Sequence, residues 1–503
     1  MTALVPLAIV APLLAAAACL LAHRRVAWQR PLSLLGVTVS LASAAALLVG
    51  VERGGTVVVT VGGWPAPYGI VLVVDLFSAL LLTVSLATVL GVLVFAIGQL
   101  GLVVEARFFH PLYCILTAGV TASFVTGDLF NLFVAFEVML IASYALLALG
   151  NPDATRSAMT YVVVSLVSST LFLTGVAFVY AATGTVNMAD LAGKVAALPE
   201  GVRTGLALYF LVVFGIKAAI FPLFFWLPDS YPTAPASVTA VFAGLLTKVG
   251  VYAIVRTQTI VFGSGANGPD GVLLTLAAAT MLVGVLGAVA QDDIKRILSF
   301  HIISQIGYMI FGLALYSVAG IAATTLYIVH HIPVKTALFL AGGMVEKVTG
   351  SGALSRVGGL ARRTPVTAGL FLVPALSLGG IPPFSGFFGK LTLVQAGIAA
   401  AQHLVVAVSL VVSLLTLFSM TKIWAGAFWG EPQAPDPHTD TSATVRVPRP
   451  MVAGAGGVVA VTLVVALGVS PLWNMAERAA QGLLTRSGYV QAVLGDAGAE
   501  VEP

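Results

Sequence analysis

Fourteen stretches of about twenty or more mostly apolar residues dominate this sequence of 503 residues. A helix of about 20 residues crosses the roughly 30 Å hydrocarbon core of a bilayer, so each stretch is long enough to span a membrane. Charged residues make up only 9% of the chain and the mean hydropathy is +1.04, which excludes an ordinary water-soluble domain. The sequence therefore predicts an all-α polytopic membrane protein. The predicted spans are residues 3–22, 31–50, 70–98, 109–127, 128–149, 157–182, 204–227, 237–261, 271–290, 296–316, 318–342, 365–400, 403–428 and 451–471.

The loops on the two sides of the predicted spans differ in their content of basic residues. One side holds thirteen Lys and Arg residues, and the other, to which we assign Arg256, holds six. The positive-inside rule then places the N-terminus outside the cell. Asp75 is expected to cap a helix or form an ion pair near the outer interface. The tail after Pro471 is expected to form a short amphipathic helix, and Glu431–Pro450, with five prolines, a flexible cytoplasmic loop.

Two of the predicted spans contain proline near their middle, namely Pro222 in one and Pro382 and Pro383 in the other. Proline lacks a backbone donor and displaces the carbonyl four residues earlier. Lipid cannot satisfy a free carbonyl, so such breaks line protein or water and are typical of transporters built from repeats. The alternative is that both are kinked packing helices. The carbonyls expected to lose their donors are those of Ala218, Leu378 and Gly379.

Five ionisable residues lie in the middle of predicted spans. A charge at the bilayer centre costs on the order of 3 kcal/mol, so each of them requires a reason. The passage of protons or cations is such a reason: Glu137 beside Lys217 would form a switch, with Lys248 as the next acceptor. Glu137 is the only glutamate we place so deep, and a static ion pair with Lys217 is the alternative. The five residues are Glu137, Lys217, Lys248, Lys335 and Lys390.

Histidines near the deep lysines add groups that can relay protons. His331 and Lys335 are four residues apart, so they share one face of a helix, which Tyr327 extends. Imidazole titrates near neutral pH, and His330 and His331 are therefore interpreted as relay residues. For His301, which shares a face with Gln305, a hydrogen-bonded core position is an equal alternative.

Motifs for soluble catalysis are missing from the sequence. There is no phosphate-binding loop, no nucleotide fingerprint and no cysteine cluster, and Cys19 and Cys114 are interpreted as core residues. No cofactor and no metal site is predicted, and no basic run suggests a nucleic-acid partner. The chain is therefore not expected to energise transport by itself with ATP or a redox centre.

Five segments of the chain resemble one family in order and spacing, the proton-translocating antiporter-like family shared by respiratory complex I and the multisubunit Mrp cation/proton antiporters. The segments are Gly127–Glu137, Lys217–Pro235, Thr247–Tyr252, Asp293–Tyr308 and Gly379–Lys390.

The resemblance implies fourteen core helices with two inverted five-helix repeats, each containing a broken helix. On this pattern residues 1–108 form helices 1–3, 109–261 the first repeat and 271–428 the second repeat. Residues 429–450 then form a Pro-rich cytoplasmic loop, and 451–503 the last helix and the tail.

The resemblance also implies roles for individual residues. Glu137 and Lys217 resemble the coupling ion pair, Lys248 the central channel lysine, and Lys390 the lysine that gates exit through the second broken helix. His330 and His331 resemble relay residues between Lys248 and Lys390.

The resemblance further implies the kind of protein. The chain would be a proton-translocating subunit of a multisubunit Na⁺/H⁺ antiporter in a prokaryotic plasma membrane, with other membrane subunits as its partners. The alternatives are a proton-pumping subunit of complex I or of a membrane-bound hydrogenase, and a mere scaffold within such a complex.

Overall fold

The computed structural model describes residues 1–149, 155–263, 270–431 and 446–495, and almost all of them are helical. The helices of the first half are α1 Leu4–Leu21, α2 Val26–Gly54, α3 Leu76–Gln99, α4 Gly101–Val104, α5 His110–Val125, α6 Leu129–Ala148, α7 Thr155–Thr183, α8 Met188–Ala196, α9 Glu200–Ala218, α10 Trp226–Ser230, α11 Ala236–Val241 and α12 Thr247–Arg256. Those of the second half are α13 Asp270–Val289, α14 Ile294–Ala314, α15 Val318–Thr349, α16 Leu360–Arg363, α17 Pro365–Gly379, α18 Ser385–Ala399, α19 His403–Ile423, α20 Arg449–Leu467, α21 Val469–Thr485 and α22 Ser487–Leu494.

Thirteen helical segments in the described ranges are long and apolar enough to cross a membrane. The fourteenth predicted span, 365–400, is instead two shorter helices, α17 and α18, separated by the prolines. The predicted boundary near Gly127 is confirmed, because one helix ends at Val125 and the next begins at Leu129. The chain is thus a multi-pass membrane protein, and most of the predicted Glu431–Pro450 loop lies outside the described residues.

A small β-hairpin precedes the third membrane helix. Strand β1, Val57–Thr60, pairs antiparallel with β2, Val71–Val74, with Val57 opposite Val74. The span predicted to begin at residue 70 was therefore wrong at its start, since the helix begins only at Leu76. Runs of valine favour strand as strongly as they favour membrane burial, which explains the error.

Two turns in the two halves of the chain have the same hydrogen-bond pattern. Thr183 Oγ1 donates to Thr185 O (3.2 Å), and Thr349 Oγ1 donates to Ser351 O (2.8 Å). Each turn then pairs with the residue that caps another helix: Asn187 with Asp128, and Ala353 with Asp293. These two aspartates accept hydrogen bonds at the starts of α6 and α14.

The centre of the bundle is made by three helical segments that have almost no exposed residues, namely 236–262, α14 and α15. The long α15 packs against α3, α11, α14, α17, α18, α20 and α21. The predicted amphipathic tail is confirmed as α21 and α22, which lie on α15, α8 and strand β1. The most buried helices therefore carry Lys248, the buried histidines and Lys335.

Candidate functional site

The first broken helix stops one turn before Pro222. Helix α9 ends at Ala218, and Ala219 has a left-handed backbone with a φ of 61°. Trp226, beyond the break, donates its Nε1–H to the carbonyl of Ile216 at 3.1 Å. A tryptophan from the far side of the break therefore satisfies a carbonyl at the end of α9, two residues before the predicted Ala218.

Ser169 of α7 lies between Glu137 and Lys217. Its hydroxyl donates a short hydrogen bond to Glu137 Oε1, and Lys217 Nζ donates to Ser169 Oγ (3.0 Å) and to Ser165 O (3.1 Å). Lys217 is 6% exposed, whereas Glu137 is half-buried on α6. The two residues meet as predicted, but through a hydroxyl: the described residues show no direct ion pair between them. A change at Glu137 can thus reach Lys217 through one hydrogen-bonded atom.

A cavity of about 290 Å³ lies beside Lys217. Its walls include Tyr161, Trp226, Tyr231 and Leu246. The Tyr231 hydroxyl is buried and has no hydrogen-bond partner among the described residues. A buried polar group of this kind is normally satisfied by protein or ordered water, so the cavity is a polar space next to the lysine.

Lys248 is fully buried in α12, immediately after a π-helical segment at Phe242–Leu246. Its Nζ donates to Ala243 O (2.5 Å) and to Thr247 Oγ1 (3.2 Å). Gly250 sits against α9, where a Cβ would lie 2.7 Å from Ala218 N. The glycine thus allows α12 to pack directly on the end of α9 that carries Lys217.

The buried groups of α14 and α15 have almost no partners within the protein. Neither ring nitrogen of His301 or His331, nor the Nζ of Lys335, has a hydrogen-bond partner among the described residues. The charges of Lys248 and Lys335 act on His331, and those of Lys335 and Lys390 act on His301, so these groups lie within electrostatic range of one another. Leaving such groups unpaired costs several kcal/mol unless water or a mobile proton serves them.

Tyr327 and His330 connect α15 to its neighbours. The Tyr327 hydroxyl donates a short hydrogen bond to Gln305 of α14, and its ring stacks on His331 at 6.5 Å. His330 Nδ1 lies 2.8 Å from Ser385 Oγ, at the start of α18. The predicted polar face of α15 is therefore confirmed, and His330 points from it towards the second break.

The second broken helix is closed by its own lysine. Helix α17 ends at Gly379, the following Gly380 has a φ of 84°, and α18 carries Lys390. Lys390 Nζ donates to Leu378 O (2.9 Å), Gly379 O (3.3 Å) and Ser413 Oγ (2.9 Å). The two carbonyls predicted to lose their donors are thus the two that this lysine satisfies.

Two predictions about charged residues were wrong. Arg256 is not in a loop: it lies inside the buried segment 236–262 and is 1% exposed. Its partner is Asp75, so the cap and ion pair predicted for that residue are both confirmed. Burial alone would raise the pKa of Asp75, but the Arg256 guanidinium holds it below its usual value.

Glu137 is not the only glutamate buried at membrane depth. Glu105 is 0% exposed and binds Arg30 (2.7 Å) and His110 Nε2 (3.1 Å). It lies at a π-helical segment between α4 and α5. Our span boundary at residue 109 placed it in a loop, where a carboxylate needs no explanation.

The serines that hold the lysines were missed. Ser165 and Ser169 are one helical turn apart, as are Ser409 and Ser413, so a stripe of hydroxyls on an apolar helix was the available signal. Serine is common in membrane helices, which makes that signal weak. The described residues contain no group of three His, Cys, Asp or Glu placed to hold a metal ion.

Comparisons with known proteins agree on one family. The family described as NADH:quinone oxidoreductase/Mrp antiporter matches residues 126–416. The D subunit of the Na(+)/H(+) antiporter of Alkalihalophilus pseudofirmus is 45% identical over 98% of this chain and 100% of its own length. A chain of the Mrp complex from Dietzia sp. DQ12-45-1b has a TM-score of 0.91 at 36% identity, over 98% of this chain and 100% of that one. A chain of the archaeal membrane-bound sulfane sulfur reductase, a respiratory complex, has a TM-score of 0.88 at 26% identity, over 97% and 99%.

Proposed function

Because the chain belongs to the NADH:quinone oxidoreductase/Mrp antiporter family of membrane proteins, we propose that it is the D-type subunit of a multisubunit Na⁺/H⁺ antiporter. In this role it conducts protons and is not an enzyme. The relative at 45% identity carries that name, and the Mrp chain matches it over its whole length. The other membrane subunits of the same complex are its partners.

The observation that carries the proton-conducting role is the row of buried ionisable groups across both halves of the chain. It begins at the Glu137–Ser169–Lys217 bridge, continues through Lys248 and ends at Lys390. Between the last two lie His331 and Lys335, whose polar atoms have no partner among the described residues. Groups that can accept or donate a proton at membrane depth are costly and are otherwise paired.

Electrostatic switching gives this row a direction. When Glu137 is ionised, its charge favours the protonated form of Lys217 through Ser169. When a proton or cation neutralises Glu137, Lys217 loses that support and releases its proton towards Lys248. The charge on Lys248 then acts on His331 and drives the next transfer towards the second repeat. Lys390 receives the proton and passes it out beside Ser413.

The excess of basic residues in alternate loops supports a plasma-membrane orientation with the N-terminus outside. The matched turns at Thr183 and Thr349 support two repeats of five helices, over 109–261 and 271–428. In this arrangement protons enter the cell as Na⁺ leaves.

Loss-of-function variants in the assembled complex test the proposal. Glu137→Ala and Lys217→Ala are each expected to abolish Na⁺-dependent proton flux in everted membrane vesicles, while native gels show an intact complex. Ser168→Ala is the matched control, since this buried serine of the same helix as Ser169 bonds Val213 O instead. Unchanged flux in both the lysine and the glutamate variant would leave the chain as a scaffold.

The alternative is a redox-driven pump, to which the lower identity of the respiratory complex gives less support. Purification of the complex from native membranes separates the two functions. Small hydrophobic partners without flavin or iron–sulfur absorbance are expected. Redox subunits with those chromophores would overturn the antiporter assignment.

A further inference from the structure

A buried arginine that the proton row does not use lies at the end of α12. Arg256 is 1% exposed and follows Lys248 by two helical turns. Its Nη1 lies 2.5 Å from Asp75 Oδ2, and its Nη2 donates to Asp75 Oδ1 (2.9 Å) and to Ser78 Oγ (2.8 Å). A guanidinium stays protonated at every physiological pH, so this site holds a permanent cation.

Aromatic rings enclose that cation on the remaining sides. The guanidinium carbon lies 5.6 Å from the ring of Phe77, 5.2 Å from that of Tyr252 and 5.4 Å from that of Tyr489. Tyr489 comes from α22, so the tail of the chain covers the cluster. Three rings and a bidentate carboxylate fix the position of the charge.

Tyr252 stands between Lys248 and Arg256, one turn from each. Its hydroxyl donates to Phe124 O (2.8 Å) and accepts from Arg256 Nη2 (3.1 Å). The hydroxyl proton is thus committed to a carbonyl, and the oxygen already faces a cation. A tyrosine held in this way is a poor proton carrier.

The second repeat has no such cation beyond its lysine. Lys390 meets Ser413, a half-buried hydroxyl on α19. Residues 403–413, the stretch of α19 from its start to Ser413, contain no lysine or arginine. Lys248 and Lys390 therefore face different electrostatic surroundings.

We propose that Arg256, held by Asp75, is an electrostatic barrier that prevents a proton on Lys248 from leaving along its own helix. The proton then leaves only through the second repeat and Lys390, which keeps proton flow coupled to cation export. Fixed arginines exclude protons and cations from channels in the same way. This inference rests on the proposed function and on the proposed orientation, which places this end of α12 outside.

Eight residues at about 1.5 Å per residue separate Lys248 from Arg256 by about 12 Å. At an effective dielectric constant of about 20, two unit charges at this distance repel by about 1.4 kcal/mol, which is about a tenfold change in rate. The barrier is thus large enough to matter for leak but small enough to remove by substitution.

Proton leak without Na⁺ tests the barrier. The whole complex is reconstituted in liposomes, a K⁺ diffusion potential is applied with valinomycin, and internal pH is followed with a trapped dye. Asp75→Asn with Arg256→Gln is expected to raise the leak about tenfold, and Arg256→Gln alone to raise it similarly, which keeps the test valid if the double variant does not assemble. Arg256→Lys keeps the cation and is expected to leak like the wild type.

A matched control comes from the exposed ion pair between Arg478 and Glu52, at 3.2 Å. Glu52→Gln with Arg478→Gln is expected to leave the leak unchanged. No increase in leak in either Arg256→Gln variant would overturn the barrier. So would an equal leak in Arg256→Lys, because packing and not charge would then be responsible.

Wild-type exchange separates this inference from the function on which it rests. A wild-type complex that exchanges Na⁺ for protons, together with tight Arg256→Gln variants, would refute the barrier alone. A wild-type complex without exchange would refute the proposed function as well.

Discussion

The two broken helices share a backbone design but use their lysines differently. In each, the helix ends in a left-handed residue, Ala219 or Gly380, three residues before a proline. In the first, Lys217 lies before the break and bonds α7, a different helix. In the second, Lys390 lies after the break and bonds the carbonyls of the broken helix itself.

The partner of the carbonyls decides this difference. At the first break, Trp226 reaches back to the end of α9, so Lys217 has no structural duty there. At the second, Lys390 does what the tryptophan does at the first. One lysine is thus free to respond to Glu137, whereas the other combines support of the break with proton transfer.

Four spanning segments lie between the two broken helices, so these helices run in opposite directions through the bundle. A lysine before one break and a lysine after the other therefore lie in halves that point to the same side. The two repeats have equivalent backbones, but their lysines are not equivalent positions.

The largest expected difference between the two lysines is in stability. Lys390→Met leaves the carbonyls of Leu378 and Gly379 without their donor, at a cost of about 2–4 kcal/mol. Lys217→Met removes a donor from Ser165 O, which belongs to an uninterrupted helix, and is expected to cost far less. Thermal unfolding of the purified complex in detergent measures both, and equal losses in Tm would contradict the division of roles.

The hydroxyl bridge at the first break is expected to matter next most. Ser169→Ala removes the atom that joins Glu137 to Lys217 and should lower Na⁺-dependent proton flux about tenfold. The measurement is initial flux in vesicles at equal protein content, with Ser168→Ala as the control. Full activity of Ser169→Ala would show that Glu137 reaches Lys217 by another route.

The left-handed residues offer a test of opposite signs. Gly380→Ala forces a side chain into a left-handed backbone and within 3.0 Å of Lys390 Cδ, so it should destabilise the fold by about 1 kcal/mol or more. Ala219→Gly relieves the same conformation at the first break and should stabilise the fold by somewhat less. Shifts of Tm in the same direction would mean that the two breaks are not equivalent in backbone.

The smallest expected effect is at Ser413. Lys390 keeps its two carbonyls in Ser413→Ala, so proton flux is expected to fall only about threefold, less than in Ser169→Ala. Ser409→Ala is the matched control, because its hydroxyl bonds Val406 O within its own helix. A loss as large as that of Ser169→Ala would show that both lysines depend equally on a hydroxyl.

Much of this protein was predictable from single residues and their spacing. The number of spans, the two breaks and the deep lysines follow from local rules, since a bilayer imposes span length and a proline imposes the loss of a donor. The acceptors at Leu378 and Gly379 were predictable for the same reason. Near Val71 the local signal was ambiguous between strand and helix, and there the prediction failed.

The partners of the charged groups were decided by the tertiary structure. Ser169 comes between Glu137 and Lys217 because α7 packs on both α6 and α9. Arg256 is buried because Asp75, far away in sequence, meets it at the end of α12. The sequence alone determined which residues had to be explained at membrane depth. Only helix packing decided which groups satisfy them, because a hydrogen bond depends on distances of about 3 Å between residues that the chain keeps far apart.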